Sequence, residues 1–280
     1  MNNLEHSTDL EKRNVISVKN LNLCYGDNGN GVMALENINL EINEGDFVCV
    51  LGPSGCGKST FLKILAGFLF PTSGKATLDG KEIKKPDSSR GVVFQTPNLY
   101  PWMNIEKNVT YGPRMRKVPK EIIRQLSDQY LRQVGLSEFK KQKTYELSGG
   151  MKQRAALAKV LVNDPRIILM DEPFGALDAL TRVNMQGLIR KIWKETGKTI
   201  LLITHDVDEA LQLGNRVIVF SKRPGTILKE FDVDFAERIQ KKGDENEIIF
   251  ESDYLDIKQK ILEIINKQHD EIAEQALRIE

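Results

Sequence analysis

Two groups of residues in this sequence have types and spacing suited to chemistry. The first is Gly52-Pro53-Ser54-Gly55-Cys56-Gly57-Lys58-Ser59, a glycine-rich loop that holds one lysine and ends in a hydroxyl. It fits the pattern G-x-x-x-x-G-K-[ST] and lies between an apolar run, Phe47–Leu51, and a helical pattern that starts at Thr60. Glycines let backbone wrap closely around a phosphate chain with N–H groups pointing inward, and the following helix presents its positive end. In such a loop Lys58 reaches the outer phosphates and Ser59 holds Mg²⁺. At average glycine content a chance match in a chain of this size is on the order of one in a hundred. The second group is Asp171-Glu172, which closes the apolar run Ile167-Ile168-Leu169-Met170. Two carboxylates ending a buried strand are costly for stability alone, because unpaired buried charge is expensive. Opposite a Mg²⁺ ion, Asp171 is offset by the cation and Glu172 is left to polarise a water at the terminal phosphate.

A third stretch is more discriminating. Leu147-Ser148-Gly149-Gly150-Met151-Lys152-Gln153-Arg154 combines a hydroxyl, two glycines and a helix start, a second anion site far along the chain from the first. Its five specified residues arise by chance below about one time in a thousand. With it the chain resembles the ABC-type ATPases, whose signature motif these residues match, and the resemblance covers residues 15–224. It implies a RecA-like P-loop NTPase core with ATP and Mg²⁺ as cofactors. It implies that Gly52, Pro53, Ser54, Gly55, Cys56, Gly57, Lys58, Ser59 and Thr60 hold the nucleotide. Ser148, Gly149, Gly150 and Gln153 would close on ATP bound by a second, head-to-tail copy.

Other motifs follow in family order. Gln95, after Val92-Val93-Phe94, matches the glutamine that touches Mg²⁺ and the attacking water. Asp178, in Ala176-Leu177-Asp178, matches the loop that communicates across the dimer. His205, after Leu201-Leu202-Ile203-Thr204, matches the histidine that contacts the γ-phosphate, and Tyr25 matches the aromatic that stacks on adenine. The resemblance thus implies Glu172, His205, Lys58 and Gln95 as the catalytic set, and Ser59, Gln95 and Asp171 as the Mg²⁺ set. Without the motif set, His205 reads as a structural histidine and Tyr25 as an ordinary strand aromatic. One departure is visible. Many relatives carry an aromatic–proline pair shortly before the signature, where this chain has Lys143-Thr144.

Two further stretches narrow the group. Leu99-Tyr100-Pro101-Trp102-Met103-Asn104 with Asn108-Val109 is similar to importer ATPases for nitrate, sulfonates and taurine, and residues 173–182 point the same way, although osmoprotectant importers share them. The implied partners are a second copy, an integral-membrane permease and, indirectly, an extracytoplasmic solute-binding protein. The implied location is the cytoplasmic face of the membrane. Two alternatives stay open. One is a soluble ABC ATPase acting on ribosomes, nucleic acid or iron–sulfur assembly, which a paired ATPase module or a coiled-coil or zinc insertion would mark. The other is an exporter ATPase.

Elements must position these residues. Short continuous apolar runs (residues 47–51, 92–94, 167–170, 200–203 and 217–220) read as strands buried on both faces, and helical patterns at residues 60–66 and 153–162 separate them. This alternation predicts an α/β fold with a mixed, mainly parallel sheet. Residues 15–42 read as short strands around the Gly26-Asp27-Asn28-Gly29 turn, forming a small antiparallel sheet at the edge. The helical pattern of residues 105–143 predicts an inserted α-helical subdomain, about 97–147, between the second and third core strands. Residues 1–14 form a polar extension and residues 225–280 a strand and helix extension, whose Ile257, Ile261, Leu262, Ile264, Ile265 and Ile272 recur at helical spacing.

Composition excludes several classes. Hydrophobic residues are 40% and charged residues 28% of 280, an ordinary globular balance. The net charge of +1 gives no reason to expect nucleic acid as a partner. Cys24, Cys49 and Cys56 show neither metal nor disulfide spacing. Residues 1–13 lack the apolar core of a signal peptide, and the apolar stretch at 61–70 contains Lys63 and falls far short of the ~20 residues of a bilayer span. Cys56 lies inside the phosphate loop, so thiol alkylation is expected to inhibit and bound ATP to protect.

Overall fold

A strand buried on both faces needs apolar side chains at every position, not at alternate ones. The computed structural model, which describes residues 13–26, 31–242 and 245–277 (backbone only for 245–246 and 269–277), shows such strands at its centre. In chain order the elements are β1 (Asn14–Tyr25), β2 (Val32–Asn43), β3 (Phe47–Leu51), α1 (Lys58–Ala66), β4 (Ser73–Leu78), β5 (Lys81–Glu82) and β6 (Arg90–Val93). Then come α2 (Ile105–Val109), α3 (Tyr111–Met115), α4 (Lys120–Gln133), α5 (Gly149–Leu161), β7 (Ile167–Asp171), α6 (Ala179–Thr196) and β8 (Thr199–Ile203). The chain continues with α7 (Val207–Leu213), β9 (Arg216–Phe220), β10 (Ile227–Asp232), α8 (Phe235–Lys242), α9 (Glu245–Ile249) and α10 (Ser252–Leu277).

The central sheet runs β10-β9-β3-β8-β7-β6, parallel throughout except for β10, which pairs antiparallel with β9. Alternate residues of one strand serve two cores. Phe47, Cys49 and Leu51 of β3 face one core with α6, α7, α8 and α10, whereas Val48 and Val50 face the other with α1 and the edge sheet. That division explains the uninterrupted apolar runs.

The edge sheet is antiparallel, ordered β2-β1-β4-β5. Its first two strands correct the expectation of short ones: each is twelve residues long. They absorb irregularity through register shifts, one of them between Val18 and Leu21. The expected turn at 26–29 lies largely outside the described residues, as do the first twelve residues of the N-terminal extension.

The helices α2 to α4 lie between β6 and β7 in sequence, and Ile105, Val109, Leu131, Val134 and Leu136 form a third core with Ala155, Ala158 and Val162 at the signature helix α5. The last strand, β10, belongs to the central sheet, and α10 packs on one of its cores through Ile257, Ile261, Ile264 and Ile265. The side chain of Ile272 lies outside the described residues. Among the described residues no helix is long and apolar enough to cross a membrane.

Candidate functional site

The phosphate loop joins β3 to α1. No side chain caps α1, whose N-cap is Gly57 at φ 105. A Cβ at Gly57 would come within 2.7 Å of Ala34 O and 2.8 Å of Leu35 Cδ2, so a left-handed backbone and the close passage of β2 both demand glycine there. The buried ammonium of Lys58 donates to Gly52 O at 2.7 Å and to Pro53 O at 2.8 Å, folded onto its own loop.

Ser59 follows in the first turn, and its hydroxyl donates to Asp171 Oδ1 at 2.9 Å. Asp171 ends β7. Burial pushes its carboxyl above the ordinary value, the Ser59 hydrogen bond pulls it down, and the neighbouring Glu172 charge pushes it up. A hydroxyl and a partly buried carboxylate this close are hard oxygen donors, and a small divalent cation held by both would offset the partly desolvated charge.

Glu172 adopts φ 43, a backbone region that a residue with a side chain visits at some cost, and its N–H donates to Ile203 O at 3.0 Å. This turn aims the carboxylate into a cleft of about 370 Å³ lined by Tyr25, Val32, Ala34, Ser54, Gly55, Gly57, Lys58, Ser59, Thr60, Glu172 and Arg223. His205 Nδ1 lies 3.4 Å from Glu172 Oε2. At the other end of the cleft, the hydroxyls of Tyr25 and Thr60 are 3.1 Å apart, which leaves the half-exposed Tyr25 ring as a wall. Sequence reading missed Arg223. The signal available was its place just beyond the C-terminal end of a central strand, the end where such sheets bind ligands.

The signature residues are elsewhere. Ser148 is the N-cap of α5, accepting from the Met151 N–H at 3.3 Å, and both Ser148 and Gly149 are exposed. Gly150 is buried, with Thr181 Cγ2 only 2.3 Å from where a Cβ would stand. None of the three lines the cleft around the phosphate loop. Gln153 is buried and donates to Phe94 O at 3.2 Å, tying α5 to the segment that bears the exposed Gln95. A Cβ at Gly175 would lie 3.4 Å from Gln95 Nε2, which places Gln95 beside the loop after Glu172. Asp178 caps α6, accepting from the Thr181 N–H at 3.0 Å, and that bond holds its exposed carboxyl below the ordinary value. Cys56 departs from the sequence reading: its side chain is buried and burial raises its thiol, so the expected alkylation has no physical basis.

A parallel sheet whose strand ends bring a phosphate loop, an Asp-Glu pair and a histidine together defines a P-loop ATPase. The family profile described as "ABC transporter" matches residues 35–175. A taurine import ATP-binding protein of Roseobacter denitrificans is 54% identical over 79% of this chain and 83% of its own length. A second one, from Ruegeria pomeroyi, is 48% identical over 92% of this chain and 96% of its own. Among solved structures, a dimeric ATP-binding cassette in a post-hydrolysis state bound to ADP and Pi superposes with a TM-score of 0.69 at 34% identity, covering 78% of this chain and 98% of that one. The chain belongs to the ABC transporter family, and it is an ATP-hydrolysing member of it.

Proposed function

We propose that this chain is the ATPase subunit of an importer that moves a small sulfonate of the taurine kind through a separate permease. The observation that carries the reading is the separation within one chain of the phosphate-loop cleft from an exposed Ser148 and Gly149. A second copy, placed head to tail, supplies its own signature to this chain's nucleotide and completes two composite sites. ATP joins the halves and hydrolysis releases them, which gives the permease its two positions.

Within each site Lys58 leaves the loop carbonyls for the phosphates, and Ser59 with Asp171 and Gln95 would hold Mg²⁺, which when bound would neutralise phosphate charge. Glu172 orients and polarises the water, His205 meets the terminal phosphate, and Tyr25 stacks on the base. Residues 15–224 are the engine, and residues 225–280 extend it. The protein then works from the cytoplasmic face of the membrane, with a solute-binding protein on the far side delivering cargo. The taurine names of the relatives in Roseobacter and Ruegeria support the cargo class.

The test is uptake of labelled taurine by cells expressing the chain with its permease, compared with cells carrying Glu172→Gln. Uptake that needs the parental carboxylate supports the reading. Hydrolysis by a chain that never co-purifies with a multispan membrane protein contradicts it.

A further inference from the structure

The ring of His205 is 63% exposed, so its place depends on the backbone on either side of it. On the inner side, Thr204 Oγ1 donates to the buried Glu209 Oε2 at 2.6 Å and accepts from the Asp206 N–H at 3.1 Å. Asp206 then caps α7, accepting from the N–H groups of Asp208 and Glu209 at 2.9 and 3.2 Å. The first turn of α7 and the strand end carrying His205 are therefore one bonded unit.

That unit is gripped from outside. Tyr254 of α10 donates its hydroxyl to Asp208 Oδ1 at 2.8 Å, and Lys258, one turn on, donates to Asp208 Oδ2 at 2.8 Å. Tyr254 is fully buried and its ring meets Phe235 edge-on at 4.9 Å, so its hydroxyl is held against α7, where Gln212 bonds it as well as Asp208. Farther along α10, roughly 21 Å by helical rise, the buried Gln268 accepts from the Lys222 N–H, beside Arg223 of the nucleotide cleft. Between these points Ile265 shares a second cleft with His205 and residues 52–55 of the phosphate loop.

We infer that α10 is a positioning device for the hydrolytic switch, in which Tyr254 and Lys258 hold Asp208 and thereby fix His205 against Glu172. A helix that only covers apolar core, as Ile261 does, needs no two donors converging on one carboxylate. Asp208 is the convergence point, two residues beyond Asp206 and three beyond His205. The C-terminal segment thus acts on the chemistry of the nucleotide site without touching nucleotide.

The test is steady-state ATPase kinetics of the full chain with Tyr254→Phe, Lys258→Met, both together, and Asp208→Ala. Tyr254→Phe keeps the ring and its packing, and Lys258 is partly exposed, so these variants retain the core. The inference expects kcat to fall about fivefold or more in the double variant with KM for ATP within about twofold of the parent. Adding Asp208→Ala should cost nothing further, as for residues acting through one contact. Only three histidines occur in the chain, so the His205 ring resonances can be followed by NMR and should shift in the same variants. An unchanged kcat, or a loss of kcat with His205 resonances unmoved, overturns the inference. It rests on hydrolysis by this chain: an inactive parent overturns that reading, whereas an active parent with unresponsive variants overturns only the role of α10.

Discussion

His205 Nδ1 and Glu172 Oε2 stand 3.4 Å apart because their strands are neighbours in register. Asp171, the last residue of β7, pairs with Ile203, the last of β8, so Glu172, one residue past β7, and His205, two past β8, emerge side by side. Strand pairing, set by apolar side chains alone, thereby fixes the spacing of two polar groups. Glu172→Gln keeps the shape of the carboxylate but not its basicity. The variant should bind ATP normally, lose about 10²–10⁴ in kcat and accumulate as an ATP-bound dimer by light scattering. A Glu172→Gln protein that stays monomeric at saturating ATP and Mg²⁺ would count against this account.

Gly150 offers a packing test. A methyl group there meets Thr181 Cγ2 of α6, the tip of a side chain at the start of that helix. Gly150→Ala should cost about 1–3 kcal/mol as an overpacked contact and depress ATPase activity. Thr181→Ser removes the opposing methyl, so the pair Gly150→Ala, Thr181→Ser should recover most of the lost stability in denaturant melts. An equal loss in single and double variants would show that the clash is not the cause.

Cys56 should be inert. Its thiol is buried and burial raises it, so N-ethylmaleimide at neutral pH should label the partly exposed Cys24 first and leave ATPase activity intact. Peptide mass spectrometry reads the order directly. Rapid labelling of Cys56 with inhibition would mean that the loop opens in solution.

Asp171 carries a burial penalty that a cation would relieve. Asp171→Asn should raise the melting temperature of the nucleotide-free protein while abolishing Mg²⁺-dependent hydrolysis. A variant that melts lower would show that the carboxylate stabilises the fold through Ser59 more than burial penalises it.

Much of this was legible in the sequence because the central strands are buried on both faces. Phe47–Leu51 is apolar at every position and forms β3 over the same residues. The edge sheet was harder to read. Asn20 and Asn37 sit inside β1 and β2 at φ 47 and 48, bending the strands and breaking the period-two pattern that marks them. Their regularity rests instead on asparagine contacts: the Asn20 N–H donates to Asn39 Oδ1 and the Asn37 N–H to Asn22 Oδ1, both at 2.8 Å. The helix α1 begins at Lys58, two residues before the periodic pattern, since Lys58 and Ser59 face the cleft. The burial of Cys56, the approach of Arg223 and the hold of Tyr254 on Asp208 arise where distant segments meet, and no local pattern announces such meetings.

The most direct measurement is the ATPase rate of Ser148→Arg alongside its ATP affinity. Ser148 is exposed and lines no part of the nucleotide cleft in its own chain, so ATP binding should be unchanged and hydrolysis reduced about a hundredfold or more. Hydrolysis at the parental rate would contradict it, because the nucleotide would then be cleaved without the second copy's signature.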